Sequence, residues 1–299
     1  MNYRQRAVSS LAVTVAAFSL GAQALPITTD IISVVDESGS MSGEHAWLST
    51  MMTDLDAALG LAAGSDPLSA RYGLVGFGGN NPHYSGHQHD VGGVGSQYGT
   101  VAEFTTATAA LVIDGGTEDG YSGITTAMGY GKQPGAVRNL ILVTDEDRDD
   151  IGGGETYDSM FRALSGDQAL LNAVLDISVN CNGSSASILG VDSKGMGYIA
   201  DGVGGFTTCG AALVTSGEGS SIADYANLAF ATGGAAWDLK QLRAGGLTAT
   251  SFTAAFINVK VQETIGQSPT DLPVPGSLAL LGLGLAGLGL AGRRQKKAA

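Results

Sequence analysis

The sequence predicts an α/β fold, with a doubly wound, mostly parallel central sheet flanked by helices. Short continuous apolar runs, typical of strands buried on both faces, alternate along the chain with longer segments of helical periodicity. This alternation favours a parallel sheet covered by helices on both sides. Glycine accounts for 46 of the 299 residues, about twice its usual share, which indicates many tight turns between the elements.

The elements follow in chain order from their apolar patterns. Residues 27–35 are predicted to form a buried strand, and residues 44–63 an amphipathic helix because their apolar positions recur every three or four residues. The same criteria predict strands over 72–77, 138–144, 173–179 and 235–239, and helices over 101–113, 120–130, 156–171, 222–231 and 250–263.

Residues 1–24 have the pattern of a secretory signal peptide. Arg4 and Arg6 precede an apolar run over 7–20, and Ala22-Gln23-Ala24 provides a cleavage site. An uncleaved buried helix is the alternative, which the uniform apolar run disfavours. The mature body is therefore expected over residues 25–268.

Residues 269–299 form a separate tail. Pro273 and Pro275 precede an uncharged segment, 277–292, and a basic cluster follows it. As a helix this segment reaches roughly 24 Å, less than the ~30 Å hydrocarbon core. A short span between a proline break and basic residues resembles a PEP-CTERM sorting signal. The resemblance implies a Gram-negative source, transient anchoring in the inner membrane and processing by an exosortase. A plain membrane anchor is the alternative.

Both ends predict an exported body at the cell surface or outside the cell. Between Leu25 and Gly292 the chain carries nine bases and all 28 acids, a net charge of −19. Such a surface repels nucleic acid and anionic lipid and attracts divalent cations. We therefore expect no nucleic-acid partner, and membrane contact only through the tail.

The two cysteines, Cys181 and Cys209, favour a disulfide in an oxidising compartment. They lie within residues 181–220, which are rich in glycine and serine and show no strong period. This segment is predicted to be an insertion pinned by the disulfide.

The main candidate site follows the first strand. Asp36, Ser38 and Ser40 alternate in a turn where Gly39 lets the backbone curl, so their oxygens can face one cation. Ligands of such folds bind at the carboxyl ends of the strands. Thr117, after a glycine pair, and Asp145, after the strand over 138–144, are placed to add oxygens there.

This Asp-x-Ser-x-Ser motif, with the later Thr117 and Asp145, resembles the von Willebrand factor type A (vWA) family. The resemblance covers about residues 27–263 and implies a metal-ion-dependent adhesion site formed by Asp36, Ser38, Ser40, Thr117 and Asp145. It implies Mg²⁺, with Mn²⁺ or Ca²⁺ as alternatives, and a carboxylate-bearing ligand on a protein or an acidic polysaccharide. Three of the five ligands are uncharged, which would keep the ion attractive to a carboxylate.

Two further clusters are predicted to be solvated loops. One is the acidic run from Asp145 to Asp150, for which extra calcium binding is the alternative. The other contains His83, His87 and His89, which with Asp90 could hold a transition metal but lack a regular element to fix them. His45 is expected at the surface near the adhesion site.

No motif for nucleophilic catalysis, phosphate binding or a zinc hydrolase is present. The sequence therefore predicts a binding module with no catalytic residues. A metal-dependent hydrolase and a structural component of an extracellular matrix or biofilm are the alternatives.

Overall fold

The computed structural model describes residues 26–152 and 154–267. Its main feature is a nine-stranded sheet, whose core consists of parallel strands. From one edge to the other the strands are β3 (His87–His89), β2 (Leu68–Phe77), β1 (Ile27–Asp36), β4 (Val137–Val143), β5 (Leu170–Leu175), β11 (Ala235–Asp238), β7 (Ile188–Asp192), β8 (Gly197–Ala200) and β9 (Phe206–Cys209). The run from β2 to β11 is parallel, and the strands at both edges are antiparallel. The predicted fold class is confirmed.

Helices cover both faces of this sheet. They are α1 (Ser42–Ala63), α2 (Val101–Ala107), α3 (Gly120–Met128), α4 (Tyr157–Gly166), α5 (Asn227–Ala231), α6 (Leu239–Arg243) and α7 (Gly246–Gln267). A short 3₁₀ turn, Thr108–Ala110, extends α2, and a π-helical turn, Ile222–Ala226, precedes α5.

Alternate residues of β1 enter two separate cores. Ile31 and Val35 pack with α1, α2 and α7, whereas Ile32 and Val34 pack with α3, α4 and α5. Side chains alternate between the faces of a strand, so an uninterrupted apolar run is what a strand covered on both faces requires. This double burial fixes the position of the β1 carboxyl end, where the candidate site lies.

The predicted helix over 156–171 is too long. Helix α4 ends at Gly166, and Gln168 adopts a positive φ of 52° before β5 begins at Leu170. Leu170 and Leu171 are both buried because they face opposite sides of the sheet. In a short apolar run, this pattern cannot be distinguished from a buried helical turn by sequence alone.

The predicted strand over 173–179 is two strands. Strand β5 ends at Leu175, and β6 (Ile177–Asn180) leaves the main sheet to pair antiparallel with β10 (Leu213–Gly217).

The segment 181–220 is also more regular than expected. It contributes β7, β8 and β9, which continue the main sheet beyond β11.

The predicted disulfide is present. Cys181 and Cys209 are bonded, with their Cα atoms 6.5 Å apart, and join the start of the 181–220 segment to the end of β9. A Cβ on Gly197 of β8 would lie 2.6 Å from Cys209 Sγ, so the absence of a side chain there makes room for the sulfur.

Within residues 26–152 and 154–267, no helix is long and apolar enough to cross a bilayer. The predicted signal peptide (1–24), the tail (269–299) and its short apolar segment (277–292) lie outside the described residues.

Candidate functional site

The carboxyl ends of β1 and β4 place the first site residues. These strands are parallel neighbours, with Val35 opposite Val143, so the residues that follow them emerge at the same edge of the sheet. Asp36 ends β1, and Thr144 and Asp145 follow β4. Two loops that are distant in sequence therefore meet.

Asp36 is fully buried and is held from both sides. Its Oδ1 accepts a hydrogen bond from the Ser38 N–H at 2.8 Å, and its Oδ2 accepts one from Thr144 Oγ1 at 2.8 Å. Burial raises the pKa of Asp36 to about 6, and the charge of Asp145 acts in the same direction. Both hydrogen bonds favour the ionised carboxylate but do not outweigh its burial.

Ser38, Ser40 and Asp145 form a continuous row of oxygens. Ser38 Oγ lies 3.0 Å from Ser40 Oγ, and Ser40 Oγ donates to Asp145 Oδ1 at 2.8 Å. Ser38 and Asp145 are buried, whereas Ser40 is exposed. The row thus reaches solvent at Ser40, between two buried ends.

The loop that carries Thr117 lies beside this row. A Cβ on Gly39 would be 4.0 Å from Gly115 O, and Asp114 N donates to Glu37 O at 3.0 Å. Thr117 itself is half-buried, and its hydroxyl makes no hydrogen bond to the described residues. Four of the five predicted site residues therefore belong to one hydrogen-bonded group, and the loop of the fifth is adjacent.

Glu118 lies at the candidate site beside Asp36, although the sequence did not indicate it. Its side chain is buried, and its Oε2 has no hydrogen-bond partner among the described residues. Burial raises the pKa of Glu118 to about 8, and the charges of Asp36 and Glu146 add to this effect. An acidic residue directly after Thr117 does not by itself indicate a metal ligand, because only the fold reveals that its side chain points inward.

Arg243 is the second residue that the sequence did not indicate. It reaches the site from the end of α6, where its guanidinium donates to Asp145 Oδ2 at 2.9 Å, Glu44 Oε1 at 2.7 Å and Ser40 O at 3.1 Å. A cation thus already neutralises one oxygen of Asp145, while the other oxygen faces Ser40.

His45 is not at the surface as expected. It is 9% exposed, and its Nε2 lies 2.8 Å from Asp36 O, so it supports the backbone at the end of β1.

The acidic run is largely exposed, as predicted, but it is anchored: Ser220 N donates to Asp147 Oδ2 at 3.1 Å, and Glu118 N to Asp149 Oδ2 at 3.2 Å.

The histidine loop is not a solvated loop. His83, His87 and His89 converge on the buried carboxylate of Glu37, and one ligand atom from each of the four residues lies within 4.8 Å of the others. Asp90, the acid considered from the sequence, instead accepts from Gln88 at an exposed position. Glu37 escaped notice because it occupies a variable position of the Asp-x-Ser-x-Ser motif.

The charges of this cluster are mutually stabilising. Burial alone would raise the pKa of Glu37, but the imidazoles of His87 and His89 and the Val112 N–H hold it well below its usual range. Burial would lower the pKa of His87, yet the carboxylate of Glu37 and the carbonyl of Ser85 raise it above its ordinary value. Glu37 is therefore an anionic centre inside the protein.

The oxygens beside Asp36 fit a hard divalent cation. Ligands about 2.1 Å from an octahedral ion lie roughly 3.0 Å apart. The spacings of 3.0 Å between the two serine hydroxyls and 2.8 Å between Ser40 and Asp145 match this distance. A cation bound at this site would also provide a partner for Glu118 Oε2, which is buried and has no hydrogen-bond partner among the described residues.

Residues 271–295 match the model of the PEP-CTERM protein-sorting motif. The predicted sorting signal is thereby confirmed, and it implies export to the cell envelope and processing by an exosortase. No curated protein matches the chain.

Several solved structures are similar to part of the chain. A von Willebrand factor type A protein from Catenulispora acidiphila is 22% identical over 50% of this chain and 33% of its own, with a TM-score of 0.32. Proximal thread matrix protein 1 from the mussel byssus is 17% identical over 51% of this chain and 37% of its own, with a TM-score of 0.34. The pilus adhesin SpaC from Lactobacillus rhamnosus GG is 16% identical over 49% of this chain and 24% of its own, with a TM-score of 0.33.

The matched region therefore spans well under half of those proteins. One of them bears the family name that the sequence motif indicates. Similarity at these identities and TM-scores does not indicate what the chain binds. The function of the chain is therefore inferred from the residues of the site.

Proposed function

We propose that the chain is an exported binding module that captures a carboxylate-bearing ligand through a Mg²⁺ ion. Asp36, Ser38, Ser40, Thr117 and Asp145 would hold the ion, with Mn²⁺ or Ca²⁺ as substitutes. The row of Ser38, Ser40 and Asp145 oxygens carries this proposal, because it joins two distant loops at the spacing of an octahedral metal site.

The ligand set favours a site that binds a partner over one that is closed. The hydroxyls of Ser38, Ser40 and Thr117 are neutral, so the ion would keep much of its positive charge. Ser40 is exposed and Thr117 half-buried, which leaves one side of the site open to solvent. A carboxylate from outside could therefore replace a bound water, because Mg²⁺ in proteins usually keeps several waters.

Charge explains why a metal would be needed. The body carries a net charge of −19, so an acidic polysaccharide or an acidic protein surface is repelled at long range. A divalent ion would provide a local positive centre, and Arg243 would add a second positive group beside it. Binding of an acidic ligand should therefore depend on the ion, and nucleic acid is not the expected partner.

The sorting motif at 271–295 supports a place at the cell envelope of a Gram-negative bacterium. We infer that residues 1–24 direct export, that the tail anchors the chain in the inner membrane, and that an exosortase then processes it. The binding site would thus face the cell surface or the extracellular matrix.

Water exchange at Mn²⁺ tests the proposal directly. The purified protein is loaded with one equivalent of Mn²⁺, and water-proton relaxation is followed during titration with polygalacturonate, with neutral dextran as the control polymer. We expect polygalacturonate, but not dextran, to lower the relaxivity as its carboxylates displace bound water. In Ser38→Ala the ion should be free, so the response should equal that of Mn²⁺ and polygalacturonate measured without protein. Equal responses to both polymers, or an unchanged response in Ser38→Ala, would contradict carboxylate capture at this site. Turnover of ester substrates by the same sample would instead favour the hydrolase.

A further inference from the structure

We propose that Glu37, His83, His87 and His89 form a second metal site, selective for a borderline transition-metal ion such as Zn²⁺. The site is separate in composition from the hydroxyl-rich site beside it. The ion would be bound by three imidazole nitrogens and one carboxylate oxygen. Zn²⁺ accepts this nitrogen-rich set, whereas Mg²⁺ prefers ligands that are all oxygen.

The distances within the cluster suit a tetrahedral ion. His83 Nδ1 and His87 Nε2 lie 3.1 and 3.0 Å from Glu37 Oε2, and His89 Nε2 lies 3.1 Å from Glu37 Oε1. Ligands about 2.0–2.1 Å from a tetrahedral zinc ion are roughly 3.3 Å apart. Small side-chain rotations would therefore be enough to enclose an ion.

The hydrogen bonds of His87 leave a ligand atom available. His87 Nδ1 lies 2.9 Å from the carbonyl oxygen of Ser85, which can only accept, so Nδ1 carries the proton. Nε2 faces Glu37 and would give up its own proton when an ion binds, because a histidine ligand is neutral. This atom is buried and lies 3.0 Å from Glu37 Oε2, so an ion bound between the two would replace that contact. A carbonyl that fixes the tautomer in this way is typical of a metal-bound histidine.

The carboxylate is oriented by a second contact. Val112 N donates to Glu37 Oε1 at 2.8 Å, which leaves Oε2 facing His83 and His87. Glu37 is fully buried, whereas His83 and His87 are 25% and 23% exposed. The site thus has a fixed floor and an open rim through which an ion could enter.

The surrounding backbone leaves space for the cluster. A Cβ on Gly76 of β2 would lie 2.2 Å from Glu37 Oε2 and 2.7 Å from His89 Nε2. The loop after β2 is held in place by hydrogen bonds from Gly79 N to His83 O at 3.0 Å and from Gly86 N to Ser122 Oγ at 2.9 Å. These contacts hold the histidines in place before any ion binds.

The role assigned to the ion is to attach the histidine loop to the end of β1. Glu37 lies directly between Asp36 and Ser38, and its carbonyl accepts from Asp114 at the start of the loop that carries Thr117. An ion bound here would therefore join the end of β1 to the histidine loop, while the Glu37 carbonyl already connects it to the loop that carries Thr117. A protonated cluster, in which His87 carries a positive charge opposite Glu37, is the competing account.

Calorimetric titration of the untagged, chelator-stripped protein with Zn²⁺ separates these accounts. We expect one Zn²⁺ per chain, a rise in Tm on binding and a tetrahedral spectrum with Co²⁺. The partly exposed ligands allow the variants His83→Asn and His87→Asn, each of which should weaken Zn²⁺ binding at least about tenfold, while Asp90→Asn in the same loop should not. Thiols cannot account for binding, because both cysteines are in the disulfide.

Ser38→Ala separates this site from the proposed Mg²⁺ site. It should leave Zn²⁺ affinity unchanged even if it abolishes Mn²⁺ binding. Absence of Zn²⁺ binding in the wild type would overturn the second site and support the protonated cluster. Zn²⁺ binding that is lost in Ser38→Ala but kept in both histidine variants would also overturn it.

Discussion

The Ser40 hydroxyl donates a 2.8 Å hydrogen bond to Asp145 Oδ1, across 105 positions of sequence. This contact joins the loop after β1 to the loop after β4 at the carboxyl edge of the sheet. Ser40 is exposed, so it contributes little to the core and can be replaced without disturbing the fold. It is therefore a suitable position for testing the proposed Mg²⁺ site.

Ser40→Ala is expected to weaken Mg²⁺ binding roughly 10- to 100-fold, because it removes one ligand oxygen and the hydrogen bond that positions Asp145. Isothermal titration with Mg²⁺ measures the effect. Ser49→Ala, a hydroxyl deletion on α1 at a distance from the site, is the matched control and should bind Mg²⁺ as the wild type does. Identical affinities for both variants would remove Ser40 from the ligand set.

Gly76→Ala and Gly60→Ala should change stability in opposite directions. At Gly76 the added methyl group would overlap the Glu37 carboxylate, so we expect the free energy of unfolding to fall by about 1–3 kcal/mol. At Gly60, in α1, nothing lies within 4 Å, and the helix preference of alanine should raise it by about 0.5–1 kcal/mol.

Urea unfolding in the presence of chelator measures both variants without a contribution from bound metal. A Gly76→Ala protein as stable as the wild type would show that the carboxylate can move away freely, and thus that the cluster is not held in place.

Asp30 is expected to stabilise the fold in a pH-dependent way. Arg71 donates to Asp30 at 2.6 and 2.9 Å, and Gln133 N donates at 3.0 Å. Burial alone would raise the pKa of Asp30, but these hydrogen bonds lower it below its ordinary value. Because the pKa is lower in the folded protein, ionisation stabilises the fold above the unfolded pKa of about 3.9, and this contribution is lost as the pH falls further.

Asp30→Asn should therefore lower the free energy of unfolding by about 1–3 kcal/mol at pH 7, and the difference from wild type should shrink below about pH 4. Urea unfolding at pH 7, 5 and 3.5 tests this. Asp158→Asn removes an exposed pair with Arg162 in the first turn of α4, and its effect at pH 7 should be smaller, below about 1 kcal/mol. A difference that stays constant with pH would contradict the assigned ionisation.

Removal of the disulfide should destabilise the protein substantially. The bond between Cys181 and Cys209 closes a loop of 29 residues, and the chain-entropy model assigns about 3–4 kcal/mol to such a loop. The double variant Cys181→Ala, Cys209→Ala should lose this amount in urea unfolding. Reductant should lower the Tm of the wild type but not that of the variant. An equal response of the two proteins would assign the effect to something other than this bond.

Much of the fold could be predicted because β1 and β4 are buried on both faces and therefore appear as uninterrupted apolar runs. The end of α4 could not be predicted, because the apolar pair Leu170 and Leu171 fits a helical turn as well as a strand. The regular strands of the 181–220 segment were missed since their glycines and serines obscure the alternation.

The site could be predicted only in part. Asp36, Ser38, Ser40 and Asp145 follow strands and carry a recognisable spacing, so topology alone places them together. Glu118 and Arg243 have no such signal, because their roles depend on burial and on a contact across the fold. The histidine cluster was missed for a similar reason: its fourth ligand, Glu37, lies 52 residues before His89 in sequence.

Anomalous diffraction from crystals soaked in Mn²⁺ tests the central claim most directly. The account predicts an ion about 2.1–2.2 Å from the hydroxyl oxygens of Ser38, Ser40 and Thr117, with Asp36 and Asp145 beside it. The same crystals grown from Ser38→Ala should lack this ion. Manganese found only at the exposed acidic loop or at the histidine cluster, or not at all, would contradict a metal-dependent binding site at the end of β1.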